Sequence, residues 1–148
     1  MQRREFIKGA VAANLMLAVQ FISPNAAAKI DREVFSSKDA EEAMKGILGD
    51  IQAEESDKIM IKAPELAENG ANVPIEITTE IEGAQRIVLV VLENPTPLAG
   101  EYIFGEGVTP NVKTRCRIGK PSDVVVMVAA GDKIYTNKAF VKVTKGGC

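Results

Sequence analysis

From Val73 to Glu82 the chain alternates strictly, with Val73, Ile75, Ile77, Thr79 and Ile81 set between Pro74, Glu76, Thr78, Glu80 and Glu82. A repeat of two puts one set of side chains on each face of extended backbone, so the segment reads as a half-buried β-strand and not as an amphipathic helix. The same period returns in Val112, Thr114, Cys116 and Ile118, which alternate with Asn111, Lys113, Arg115 and Arg117. Ile59 and Ile61 bracket Met60 before Pro64 ends that run. Ile87 to Leu92 and Val124 to Ala130 are continuously aliphatic and fit central strands, and a last strand is expected from about Lys133 to Lys145. Turn-forming residues separate these runs: Glu68-Asn69-Gly70, Asn94-Pro95-Thr96-Pro97, Gly105-Glu106-Gly107 and Gly131-Asp132. About seven short strands with no interleaved helix predict a mainly β chain, an immunoglobulin-like antiparallel β-sandwich.

One short helix precedes the strands. Ala40, Ala43, Met44, Ile47 and Leu48 recur at helical spacing, and Gly49 is a natural stop. Ser36 or Ser37 is the expected cap, with Asp39 three residues after Ser36 in a capping-box arrangement.

What the chain lacks removes much of enzyme chemistry. With no His it cannot build a Ser-His-Asp triad, a Cys-His pair or a His-ligated metal site. Two cysteines cannot close a tetrahedral zinc or iron–sulfur site within one chain, so no metal, cofactor or catalytic residue is assigned. A net charge of −2 without a basic block gives no electrostatic case for nucleic acid.

The first residues, Met1-Gln2-Arg3-Arg4-Glu5-Phe6-Ile7-Lys8, fit a twin-arginine export signal. A moderately apolar stretch from Gly9 to Ile22 follows, shorter than the roughly 20 residues a membrane span needs. Ala26-Ala27-Ala28 supplies the small residues expected before cleavage. Residues 1–28 are therefore expected to be a signal peptide and the mature chain a soluble periplasmic protein beginning near Lys29.

The two cysteines differ in setting. Cys116 shares a strand face with Val112, Thr114 and Ile118 and reads as a core thiol, although spacing alone leaves a disulfide with Cys148 open. Cys148 follows Gly146 and Gly147 beyond the last strand, which predicts a mobile tether at 146–148 after a sandwich domain spanning 29–145. Three extended residues reach roughly 10 Å, far enough to carry a thiol into a pocket on another protein. Lys142 and Lys145 favour the thiolate there, and a terminal carboxylate beside it would oppose ionisation. An exposed thiol in an oxidising compartment is a liability, so its presence points to use.

Along essentially its whole length the chain resembles the SoxY family of sulfur-oxidation carrier proteins. The likeness rests on the leader, the helix, the Ile61-Lys62-Ala63-Pro64-Glu65-Leu66-Ala67-Glu68-Asn69-Gly70 segment before Val73-Pro74-Ile75-Glu76-Ile77, and Ser122-Asp123-Val124-Val125. It closes with Val141-Lys142-Val143-Thr144 running into Gly146-Gly147-Cys148. The resemblance implies an immunoglobulin-like sandwich that forms a heterodimer with a second β-sandwich protein, SoxZ, which has no leader of its own. It implies that the haem protein SoxAX couples thiosulfate to Cys148 as a cysteine S-thiosulfonate. The manganese hydrolase SoxB then releases sulfate and leaves a persulfide. In that scheme the carrier supplies the handle and catalyses nothing. The family's usual ending is Gly-Gly-Cys-Gly-Gly, whereas nothing follows Cys148 in this sequence.

Two other readings compete. Cytosolic β-grasp sulfur carriers also end in Gly-Gly but use the terminal carboxylate, and the extra cysteine and the export leader argue against them. A structural or adhesion sandwich would use the terminal cysteine for intermolecular disulfide cross-links.

Overall fold

The alternating runs become strands of two facing sheets in the computed structural model, which describes residues 32–144. The leader expected over 1–28 and the arm expected at Gly146, Gly147 and Cys148 lie outside the described residues. In chain order the strands are β1 (Ala53–Glu55), β2 (Ile59–Lys62), β3 (Leu66–Ala67), β4 (Val73–Thr79) and β5 (Ala84–Val91), then β6 (Leu98–Ile103), β7 (Asn111–Cys116), β8 (Ser122–Ala130) and β9 (Lys133–Val143). The larger sheet has the order β1-β9-β8-β5-β6 with β3 also paired to β9, and the smaller has the order β2-β4-β7. This is the mainly β sandwich with one short helix that the sequence predicts.

The core between the sheets follows from the periodicity. In β4 the residues Val73, Ile75 and Ile77 are buried while Pro74 is exposed, and in β8 Val124, Val126 and Val128 are buried. With Ile87, Leu89 and Val141 they form one apolar cluster. Each such side chain contributes about 1.5–3 kcal/mol when removed fully from water.

The aliphatic run in β5 has a separate cause. Val88 and Val90 point away from the sandwich core into a second cluster with Ala43 and Leu98, backed by Phe35, Met44 and Ile47. The helix α1 (Ala40–Leu48) therefore covers the outer face of β5, and a strand buried on both faces has no polar side to alternate. Arg86 ties this layer down: its Nη1 donates to the Ile47 carbonyl at 3.0 Å and its Nε lies 3.3 Å from Glu101 Oε1. Gly46 sits mid-helix because a Cβ there would lie 2.9 Å from Val34 Cγ2.

Three expectations are corrected. Neither Ser36 nor Ser37 caps the helix, because Val34–Ser36 forms a separate 3-10 turn and Ser37 is extended. Asp39 is the cap, its carboxylate accepting from the Glu41 and Glu42 amides at 2.8 and 3.2 Å. Gly49 does terminate the helix, at φ +76°. Among the described residues the strands number nine rather than about seven, since β1, β3 and β6 carry little or no alternation. Finally, the sandwich is not wholly antiparallel, because β1 and β3 both run parallel to β9.

The packing predicts that Leu89→Ala lowers stability by about 2–5 kcal/mol, the usual cost of such a cavity. Asp39→Ala, which orphans two amides at one helix end, costs about 1 kcal/mol. Urea denaturation of both variants beside the parent chain reads both values.

Candidate functional site

The site read from the sequence is the segment after β9, so the strand that delivers it comes first. β9 pairs antiparallel with β8 from Lys133↔Ala130 to Val141↔Ser122. Its opposite edge is taken at one end by β1, with Ala53 beside Ile134 and Glu55 beside Thr136. At the other end it is taken by β3, with Leu66 beside Lys142 and Ala67 beside Val143. Between those contacts the chain leaves this sheet and pairs as β2 with β4 of the other sheet.

The β3 contact holds the root of the proposed arm. The Lys142 amide donates to the Glu65 carbonyl at 2.9 Å and the Thr144 amide to the Ala67 carbonyl at 3.2 Å. Thr144 Oγ1 also donates to the Glu68 carbonyl at 3.5 Å. The backbone is thus fixed as far as Thr144, and Cys148 is four residues further along, at most roughly 14 Å. The sequence reading missed this clamp. The residues lie inside the Ile61–Gly70 segment that carries the family resemblance, but two residues of strand have no period to detect.

The loops at this end are also fixed. The Ile118 amide donates to the Gly70 carbonyl at 2.7 Å. Asn94 bridges to the next loop, its Nδ2 donating to the Arg117 carbonyl at 2.6 Å and its Oδ1 accepting from the Gly119 amide at 3.0 Å. Lys142, expected to favour a thiolate at Cys148, is exposed on β9. Lys145 and the three arm residues lie outside the described residues.

Cys116 is placed where the alternation puts it, at the end of β7 beside Val73 and against the main core. It is half-buried rather than enclosed, because β7 is an edge strand of the smaller sheet. Its thiol is free, and desolvation by burial pushes its pKa up to about 11. Cys116 is therefore a protonated, weakly nucleophilic thiol at neutral pH.

Two comparisons bear on this arrangement. The profile of the family described as "Sulfur oxidation protein SoxY" matches residues 44–148. The chain belongs to the SoxY family. A solved structure of the sulfur carrier protein SoxY from Chlorobium limicola f thiosulfatophilum is 38% identical. It covers 70% of this chain and 94% of its own, with a TM-score of 0.66. A search of curated proteins gave no significant match. The SoxY match takes in the sandwich, the β3 clamp and the segment that contains Cys148.

The raised Cys116 pKa predicts slow alkylation by iodoacetamide at pH 8, where roughly one thiol in a thousand is ionised, with a rate that climbs steeply toward pH 11. The folded chain holds this proton more tightly than the unfolded chain does. Its contribution to stability is accordingly present below about pH 9 and is lost as pH rises to about 11. Peptide mass spectrometry gives the alkylation rate, and denaturant melts of the parent chain and Cys116→Ser across pH 8–11 give the stability difference.

Proposed function

We propose that this chain is a periplasmic sulfur carrier of thiosulfate oxidation, which holds its substrate covalently on Cys148 as a cysteine S-thiosulfonate and then as a persulfide. Gly146 and Gly147 form the arm that presents Cys148, residues 1–28 direct export by the twin-arginine route, and SoxZ is the heterodimer partner. SoxAX and SoxB dock transiently to load and to hydrolyse the carried group, and the carrier contributes no catalytic residue.

Membership in the SoxY family supports the carrier role. The observation that carries the choice of cysteine is the state of the other one. Cys116 is free but half-buried and held protonated, so it is poorly suited to exchange, which needs an accessible thiolate. Cys148 stands four residues past a backbone anchored on both sides, and a thiol so placed can enter a partner's pocket while the sandwich stays outside.

The chemistry fits a passenger held through sulfur. Oxidative joining of the Cys148 sulfur to thiosulfate forms one S–S bond and releases two electrons, which a haem protein can accept. Hydrolysis then removes sulfate, consumes water and leaves the S–S linkage as a persulfide. Neither step asks the carrier for an acid, a base or a metal ion.

The test is the intact mass of the exported protein from thiosulfate-fed cells, before and after a reductant, with the modified peptide mapped. Reductant-labile sulfur adducts are expected on the Cys148 peptide, with Cys116 unmodified and residues 1–28 removed. A permanent interchain disulfide through Cys148, with no adduct, would put the cross-linking reading in first place.

A further inference from the structure

Among the described residues six large apolar side chains are exposed: Ile51, Met60, Leu66, Ile103, Val108 and Phe140. The register of the strands sorts them between the two ends of the sandwich. Ile51 precedes β1, whose Ala53 pairs with Ile134 at the start of β9. Ile103 pairs with Arg86, and Arg86 with Ala129, next to the same β8–β9 turn. Met60 pairs with Thr78, and Val108 precedes Asn111, which pairs with Thr78 from the other side. Ile51, Ile103 and Val108 lie at the end away from Thr144, whereas Met60 follows Ile59, whose carbonyl accepts from Asn137 in the middle of β9, and faces outward from the smaller sheet, on the opposite side of the sandwich.

Leu66 and Phe140 lie at the other end. Leu66 is the β3 partner of Lys142, and Phe140 is two residues before Lys142 on the same strand, so all three share the outer face of the larger sheet. Leu66 is 55% exposed and Phe140 53%, beside a Lys142 that makes no ion pair among the described residues. The neighbouring Lys138 is instead matched with Asp123 at 3.9 Å. At about 3.3 Å per residue Phe140 lies roughly 13 Å from Thr144 along β9, and Ile134 roughly 33 Å.

Resting on the carrier reading above, we propose that Leu66, Phe140 and Lys142 form the docking patch for the enzymes that act on Cys148. The occupant is the surface around the pocket that receives the cysteine, with an apolar rim and a carboxylate facing Lys142. Chain length makes the choice. Cys148 is at most roughly 14 Å from Thr144, so an enzyme that holds it must bring its surface to this end of the sandwich. There the patch falls under it, whereas Ile51, Ile103 and Val108 lie at the far end and Met60 faces outward from the other sheet. Phe140 is of the aromatic type enriched at interfaces, and a small patch suits partners that must leave after each turnover.

The experiment measures SoxAX-dependent loading of thiosulfate onto the full carrier, in its complex, by the mass of the Cys148 peptide. Leu66→Ser with Phe140→Ser is expected to raise KM about tenfold with kcat within twofold. Lys142→Glu is expected to raise KM several-fold and to abolish its salt dependence. Ile103→Ser with Val108→Ser should leave KM unchanged. Labelling of Cys148 by a small maleimide should be equally fast in the parent chain and in both double serine variants, neither of which alters Lys142. The double serine variant changes exposed side chains only, and Lys142→Glu carries the test if that variant unfolds. Unchanged KM in both patch variants, or a matching loss of maleimide labelling in Leu66→Ser with Phe140→Ser, overturns the docking patch and leaves the carrier reading standing. A wild-type chain that acquires no adduct on Cys148 overturns both.

Discussion

The two-sided pairing of β9 is the constraint on which the rest of the structure depends. One edge is bonded to β8 along nine register pairs, and the other is clipped at its two ends by β1 and β3. A C-terminal strand paired on one side only would be free to fray from its end. Here the last backbone contacts fall at Thr144, within four residues of Cys148. The point at which the chain leaves the sandwich toward Cys148 is thus set by the sandwich itself.

The clip also fixes how the two sheets join. Between β1 and β3 the chain crosses to the smaller sheet as β2, where Asn137 Nδ2 of β9 donates to the Ile59 carbonyl at 2.7 Å. One segment therefore covers the open edge of β9 at two points and supplies an edge strand to the opposite sheet. Covering that edge also removes a template for pairing with another chain. On the far side of the larger sheet α1 buries Val88 and Val90, so the sheet is apolar on both faces there. The body that results leaves no buried side-chain donor or acceptor unpaired among the described residues.

Burial sets the reactivity of Cys116. Cys116 ends an edge strand but packs against the core, and desolvation disfavours its thiolate. A carrier with two equally reactive thiols in an oxidising compartment would be free to close an internal disulfide, which ends its use. A second cysteine is compatible with carriage when one of the pair is kept protonated, and burial does this for Cys116 although Arg115 and Arg117 flank it in the chain.

The alternation of β4, β7 and β8 and the continuous run of β5 were legible because side-chain burial writes a period into the residues themselves. The helix was legible from its apolar spacing and from Gly49, but its cap was read at Ser36 or Ser37, since a 3-10 turn over Val34–Ser36 leaves no distinct pattern. β1 and β3 were illegible for the same reason: Ala53–Glu55 and Leu66–Ala67 are too short to repeat, and only their hydrogen bonds to β9 make them strands. The sequence by itself determined the class of fold, the absence of histidine chemistry and the Gly146-Gly147-Cys148 motif, because these are properties of residue type and order. Only the tertiary structure decided that Cys116 is half-buried with a raised pKa, that the backbone is clamped as far as Thr144, and that Leu66 and Phe140 share the outer face of the larger sheet near it. Those three depend on residues distant in the chain coming together, and no local pattern records which distant residues will pair.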